Sequence, residues 1–442
     1  MTKAGFSREV ITPPRGMSLA GYFNPRPNIG VLDDLYVKVL LLEHDSTVTG
    51  LVVFDLCFVT AEIIKGIKRK IAASGLDFGD NLIFSATHTH TGPQVAKKFF
   101  GTSPDSSYLD LLQHRTVSAI AQALANLLPA EISAGNINDN PFAYNRRYWM
   151  KNGAVLTNPG KLNPDIVKPE STVDSEISIM SVKQNGIIIA VVANIVNHTD
   201  TIGGDWVSAD WPGRMEREIQ NITGHDIPVL TLIGCSGNIN HFDVFRNIPQ
   251  SRYGEACRIG IGYASIIASQ LYSLKAVTFD KITVQTEDFI IPFRKISEAE
   301  IKKAKAVLAK ESVVCDNKDL TSEGLATGEG PVARFFAEQM IAYNKICSGK
   351  KRTFKLITIK LGDQLIFASL PGEPFTEIGL ELKKRSPFKY NFMISLAMGS
   401  CGYVPMPECF SRGGYEILPV VNGGPREDTA PRLIEALTNM MA

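Results

Sequence analysis

The sequence predicts a mixed α+β protein of the α/β kind, with large mixed β-sheets flanked by helices. Three observations carry that prediction. Short apolar runs of strand length recur along the chain and alternate with amphipathic, helix-like stretches. Several of these runs end in glycine- or proline-bearing turns, as strands that feed loops do. No low-complexity tract, clean linker or internal repeat divides the 442 residues, so 1–442 is expected to form a single domain.

Each element has its own signal. Runs 37–43 and 50–55 are apolar and close enough to pair as a hairpin. Residues 61–73 read as an amphipathic helix with Ile63, Ile64, Ile67 and Ile71 on one face. Residues 82–87 read as a buried strand, and 108–128 as a long helix closed by Pro129. Strands 177–182 and 186–196 meet at Gln184-Asn185-Gly186, where Asn-Gly is a strong hairpin signal. A short buried strand is expected at 229–233 and a helix at 265–274. Ser297 and Glu300 make a capping box for a further helix, and Ile296 with Ile301 can close its hydrophobic staple. Residues 312–333 are polar and glycine-rich and read as a surface loop or lid. Strands 354–361 and 364–370 join at Gly362-Asp363, 392–397 is another strand, and a final helix covers 431–440.

Composition bounds the function. The chain is 44% hydrophobic and 21% charged, with mean hydropathy +0.02, which suits a globular protein with an ample core. A net charge of +1 argues against nucleic acid or an anionic membrane as partner. The longest apolar run, 186–193, is strand-sized and gives no strong membrane signal. The seven cysteines are scattered, odd in number and without a CxxC pair, so they are no disulfide scaffold. Met1 to Phe6 hold no apolar signal core. The expected location is therefore cytoplasmic as the sequence stands, or periplasmic or secreted if a leader has been removed. Nothing in the sequence sets the oligomeric state.

The chemistry-bearing stretch is Thr87-His88-Thr89-His90-Thr91-Gly92-Pro93. It follows the run Leu82-Ile83-Phe84, and in a strand residues i and i+2 point to one side. Two imidazoles would then leave one strand end together, and neutral imidazole is the commonest metal ligand. A pair of hydrogen-bonded histidines at a sheet edge is the plainer alternative. His198 ends another apolar strand and opens into Gly203-Gly204-Asp205, as a polar turn residue or as a site residue at a strand end. Glu373 lies in Pro371-Gly372-Glu373-Pro374 after a strand; Pro374 suits a first helical turn, placing Glu373 near a helix cap, where it would cap or ligate. Tyr403 follows a strand in Gly402-Tyr403, and Tyr415 lies twelve residues on. Asp200, Asp205 and Asp210 are candidates to orient ligand histidines, and His241 is a less favoured extra ligand.

Taken in order, these motifs resemble the neutral (non-lysosomal) ceramidases, zinc amidases that cleave the N-acyl bond of ceramide. The resemblance covers most of the chain, as the family's N-terminal catalytic domain. It implies that His88, the first histidine of the His-Thr-His-Thr-Gly-Pro motif, is a zinc ligand and that His90 lines the pocket. It implies further ligands at His198, Glu373 of the Pro-Gly-Glu motif, and Tyr403 of the Gly-Tyr motif. Tyr415 matches the family's second active-site tyrosine, and Arg146 of Asn145-Arg146 its pocket arginine. Where the family carries an active-site serine, the best register over 234–242 places Asn240. The β-sandwich domain of the longer ceramidases is expected to be absent, which leaves both ceramide and another small amide or ester open as the substrate.

The expected activity is zinc-dependent hydrolysis of a C–N amide bond in a small N-acyl compound. Metal-activated water attacks the carbonyl; Tyr415 and His90 donate to the oxyanion, His90 shuttles the proton, and Arg146 holds a substrate oxygen. Mixed nitrogen and oxygen ligation favours Zn²⁺. Two other readings stay open: a binding protein that keeps the metal but has lost hydrolysis, given Asn240, or a hydrolase of a small ester, cyclic amide or N-acyl sugar.

Overall fold

The computed structural model describes residues 1–22, 26–96, 103–310, 330–421 and 423–442. It is a mixed α+β protein built on three principal sheets, each formed by a consecutive stretch of chain. The first holds β1 (Lys3–Val10), β2 (Tyr36–His44), β3 (Thr47–Phe54) and β4 (Leu82–Ala86), with helices α1 (Ala61–Ala73) and α2 (Ser106–Ala125). The second holds β5 (Glu131–Asn138), β6 (Glu176–Gln184), β7 (Ile187–Ile195) and β8 (Val229–Ile233), with α3 (Asp210–Thr223) and α4 (Tyr253–Gln270). The third holds β9 (Ile282–Pro292), β10 (Lys351–Leu361), β11 (Leu365–Ser369) and β12 (Tyr390–Ile394). Its helices are α5 (Glu298–Ala309), α6 (Gly330–Ile346), α7 (Thr376–Arg385) and α8 (Thr429–Met441).

All three sheets share one topology. Three strands pair antiparallel in sequence order. A helix (α1, α3 or α7) then carries the chain to a fourth strand laid parallel to the third. In each, a long excursion separates the first two strands: 11–35, 139–175 and 293–350. A repeated architecture thus underlies a chain with no repeat legible in its sequence.

The fourth strands are buried along their whole length, as parallel strands covered on both faces are. They also meet one another. Ser85 of β4 bridges to Ala397 just past β12, and Met398 N–H donates to Phe84 O at 2.8 Å. Ser395 N–H donates to Ile233 O of β8 at 2.8 Å, and β8 packs against β3 and β4. One core joins Phe84, Ile233, Phe367 and Phe392. The carboxyl ends of three parallel pairs therefore open into one region, where ligands bind on sheets of this kind.

Several boundaries differ from the sequence reading for identifiable reasons. α4 begins at Tyr253 rather than 265, despite its glycines. A Cβ on Gly260 would stand 2.5–2.9 Å from Arg214, Met215 and Trp211 of α3, so that glycine lets two helices approach. The Ser297–Glu300 capping box is present as expected. Of the loop expected at 312–333, residues 311–329 lie outside the described residues, and from Gly330 the chain is helix α6. Among the described residues no helix is long and apolar enough to cross a membrane.

Candidate metal centre

His88, His198, Glu373 and Tyr403 all follow strands of the three parallel pairs. The pairing of β4 with β3 runs on past the strand end: Thr87 N–H donates to Phe54 O (2.8 Å) and His88 N–H to Leu56 O (2.9 Å). β4 itself stops at Ala86, and His88 has φ +67°, so strand alternation is not what aligns the two imidazoles. The left-handed turn at His88 swings its ring back against that of His90, the centroids 4.7 Å apart and the planes perpendicular.

His198 is clamped through its backbone. Its N–H donates to Asn197 Oδ1 at 2.8 Å, and its carbonyl accepts from Trp211 Nε1 at 2.9 Å. Asn197 is held in turn by Phe142 O and the Tyr263 hydroxyl. Two further bonds lace this loop to the His88 loop: His90 N–H to Thr199 O (3.1 Å) and Thr199 Oγ1 to Thr87 O (2.7 Å).

Glu373 is not at a helix cap. α7 starts at Thr376, and Glu373-Pro374 forms a short parallel ladder with Tyr403-Val404, making Glu373 and Tyr403 direct cross-strand partners. The glycine of Pro-Gly-Glu is required: Gly372 has φ +69°, and a Cβ there would lie 2.2 Å from Gly402 O.

The donor atoms converge. His88 Nε2 lies 3.2 Å from His198 Nε2 and 3.5 Å from Glu373 Oε2. Two nitrogens bound to one tetrahedral zinc sit about 3.3 Å apart, given bonds of roughly 2.0–2.1 Å. That spacing suits a shared ion as well as an N–H···N hydrogen bond, and this donor set could hold a divalent metal. His88 Nδ1 donates to Cys57 O at 2.7 Å, which frees Nε2 to ligate. The Nδ1 atoms of His90 and His198 are buried with no hydrogen-bond partner among the described residues.

Charge separates the three imidazoles. Burial and then the nearby His88 push His198 down to about 3, and the same causes hold His90 well below the usual imidazole range. Both are therefore neutral, the ligating form. Burial opposes a charge on His88, but Cys57 and Glu373 outweigh it and raise this imidazole well above its usual range. Burial, then Glu373, keeps the Tyr403 phenol protonated well past its ordinary range, and burial raises Tyr415 likewise.

The other expected site residues fall around this cluster. Arg146 is buried with its guanidinium 4.9 Å from the Tyr403 ring centroid and 5.1 Å from that of Tyr415. Its Nε donates to Glu416 Oε1 at 3.1 Å and one Nη to Gly237 O. Asn240 donates to Asn158 Oδ1 at 2.6 Å. His241 uses both ring nitrogens, one on Asp200 (2.7 Å) and one on Gln250 O (3.0 Å), which takes it out of the ligand set. Asp210 accepts from the backbone of Thr201, Ile202 and Trp211, so it shapes the loop rather than touching a ligand ring.

Sequence reasoning missed Cys57, Glu416 and the Tyr22–Arg26 pair. Cys57 Sγ is 3.8 Å from His88 Nδ1. Glu416, adjacent to Tyr415, is fully buried between Arg146 and Arg147. Tyr22 sets its ring edge on His90, and Arg26 donates to His90 O at 2.6 Å. Only its place beside a motif tyrosine hinted at Glu416; the others carried no signal.

No protein-family profile and no curated protein matches this chain. Solved structures do. The crystal structure of neutral ceramidase from Pseudomonas aeruginosa matches over 100% of this chain and 74% of that one, with TM-score 0.73 and 16% identity. A structure described as ceramidase complexed with C2 matches over the same shares, with TM-score 0.71 and 15% identity. The chain thus has the neutral ceramidase fold.

Proposed function

We propose that this protein is a zinc-dependent amidohydrolase that cleaves the C–N bond of an N-acyl compound. The observation that carries this reading is the approach of His88 Nε2 to His198 Nε2 (3.2 Å) and Glu373 Oε2 (3.5 Å) inside a neutral ceramidase fold. The ligands are His88, His198, Glu373 and Tyr403. Zinc held by these side chains would supply carbonyl polarisation and a bound water with a pKa of about 7.

The chain's own groups supply the rest. Tyr415 keeps its proton and donates it in a hydrogen bond to the oxygen that becomes negative. His90, neutral and 3.2 Å from His88, is placed to accept a proton and return it to the departing amine. Arg146 is a positioning residue: Glu416 and Gly237 hold its guanidinium about 5 Å from both tyrosine rings, 4.9 Å from Tyr403 and 5.1 Å from Tyr415, where it orients their side chains. Asn240 lines the site in the place of the family's serine and is tied to Asn158.

The fold favours a small N-acyl lipid as substrate. Asn240 favours a second reading, a binding protein that retains the metal without turnover. One experiment separates them: metal analysis of the purified protein, then amine release from a panel of N-acyl substrates before and after chelation. Turnover that chelation abolishes and zinc restores supports the hydrolase; bound metal with no turnover on any amide supports the binder.

A further inference from the structure

The donor atoms around His88 form two overlapping sets, and the proposed hydrolase uses only one. His88, His198 and Glu373 make the first; Cys57, His88 and His90 make the second, their ligand atoms also lying within 4.8 Å of one another. Cys57 stands just past the carboxyl end of β3, the partner strand of β4, and its side chain is buried. Its carbonyl accepts from His88 Nδ1 while its sulfur lies 3.8 Å from the same nitrogen. His90 Nε2 is 3.2 Å from His88 Nε2, and its Nδ1 is buried with no hydrogen-bond partner among the described residues.

We propose that Cys57, His88 and His90 are a second, thiophilic binding mode of this centre. The two sets differ in softness. Two imidazoles with a carboxylate and a phenol suit zinc at a hydrolytic site, whereas a thiolate with two imidazoles prefers softer ions such as Cd²⁺ or Cu⁺. Because both sets need His88, they hold one ion in alternation, not two ions together. Binding in the second mode releases the Cys57 thiol proton to solvent and forms a metal–sulfur bond, with no change of oxidation state. A soft ion would then draw His88 away from His198 and Glu373, which makes the centre sensitive to thiophilic metals.

The test is a Cd²⁺ titration of the metal-free full chain, read as thiolate-to-cadmium absorption in the near ultraviolet. The expected result is a band that saturates at one equivalent per chain. It should vanish in Cys57→Ser, with cadmium affinity lowered about tenfold or more and zinc affinity nearly unchanged. It should persist in His198→Gln, which leaves the second set whole. Cys57→Ala, with folding checked by circular dichroism, serves if the serine variant misfolds. No band in the wild type, a band that survives loss of Cys57, or saturation at two equivalents overturns the proposal. Because absorption, not turnover, is read, absent amide hydrolysis with an intact band would count against the hydrolase reading alone.

Discussion

In the cluster of Arg146, Arg147 and Glu416 every carboxylate oxygen is answered, while in the neighbouring cluster of His88, His198 and Glu373 nitrogen faces nitrogen. Glu416 Oε1 accepts from Arg146 (3.1 Å), and Oε2 accepts from Arg147 (2.7 Å) and Thr157 (2.8 Å). Glu170 takes another face of Arg147. On the other side of Tyr403, the imidazoles crowd to 3.2 Å, and two of their Nδ1 atoms lack hydrogen-bond partners among the described residues. Both clusters are buried, so the contrast is not one of exposure. A closed ionic network holds side chains in place. Converged lone pairs, where only one proton can sit between two nitrogens, are an arrangement that a cation can complete.

That contrast can be broken or sharpened by mutation. The largest effect is expected at the ligands: His88→Gln or His198→Gln should abolish stoichiometric zinc and cut amide hydrolysis by more than the roughly 10–100-fold typical of losing an outer hydrogen-bond partner. Metal analysis with steady-state kinetics checks this. Next, Glu416→Gln leaves Arg146 and Arg147 buried without their shared carboxylate and should cost about 3–5 kcal/mol in denaturant unfolding. Zinc should still bind stoichiometrically to the folded fraction; its loss would show that the clusters are not separable. Tyr415→Phe should lower kcat by about 10²–10³-fold, equivalent to roughly 2.7–4 kcal/mol, without changing zinc affinity. Smallest, Ser297→Ala removes the cap of α5, which supplies no residue to either cluster, and should cost about 1 kcal/mol of stability with kinetics unchanged.

The sequence was most legible where the signal is local. Asn185-Gly186 marked the β6–β7 turn, the isoleucine stripe marked α1 to the residue, and Ser297-Glu300 marked α5. The candidate ligands were found because each sits in a short motif at a strand end. What escaped depends on long-range partners. The shared topology of the three sheets is set by which strands pair, and the parallel pairs join segments separated by a helix. Glu373 read as a helix cap because Pro374 usually opens a helix; its pairing with Tyr403 is invisible from either segment alone. Glu416 makes sense only beside Arg146 and Arg147, some 270 positions earlier in the chain. Cys57 is one of seven scattered cysteines in the sequence, and only the turn at His88 brings an imidazole to it.

The central claim is that one divalent ion sits among His88, His198, Glu373 and Tyr403. Anomalous diffraction from crystals of the zinc-loaded protein, recorded on both sides of the zinc absorption edge, tests it most directly. The account predicts a single strong peak, present only above the edge, within bonding distance of His88 Nε2, His198 Nε2 and Glu373 Oε2. A peak elsewhere, or none in a protein shown to contain zinc, would contradict it.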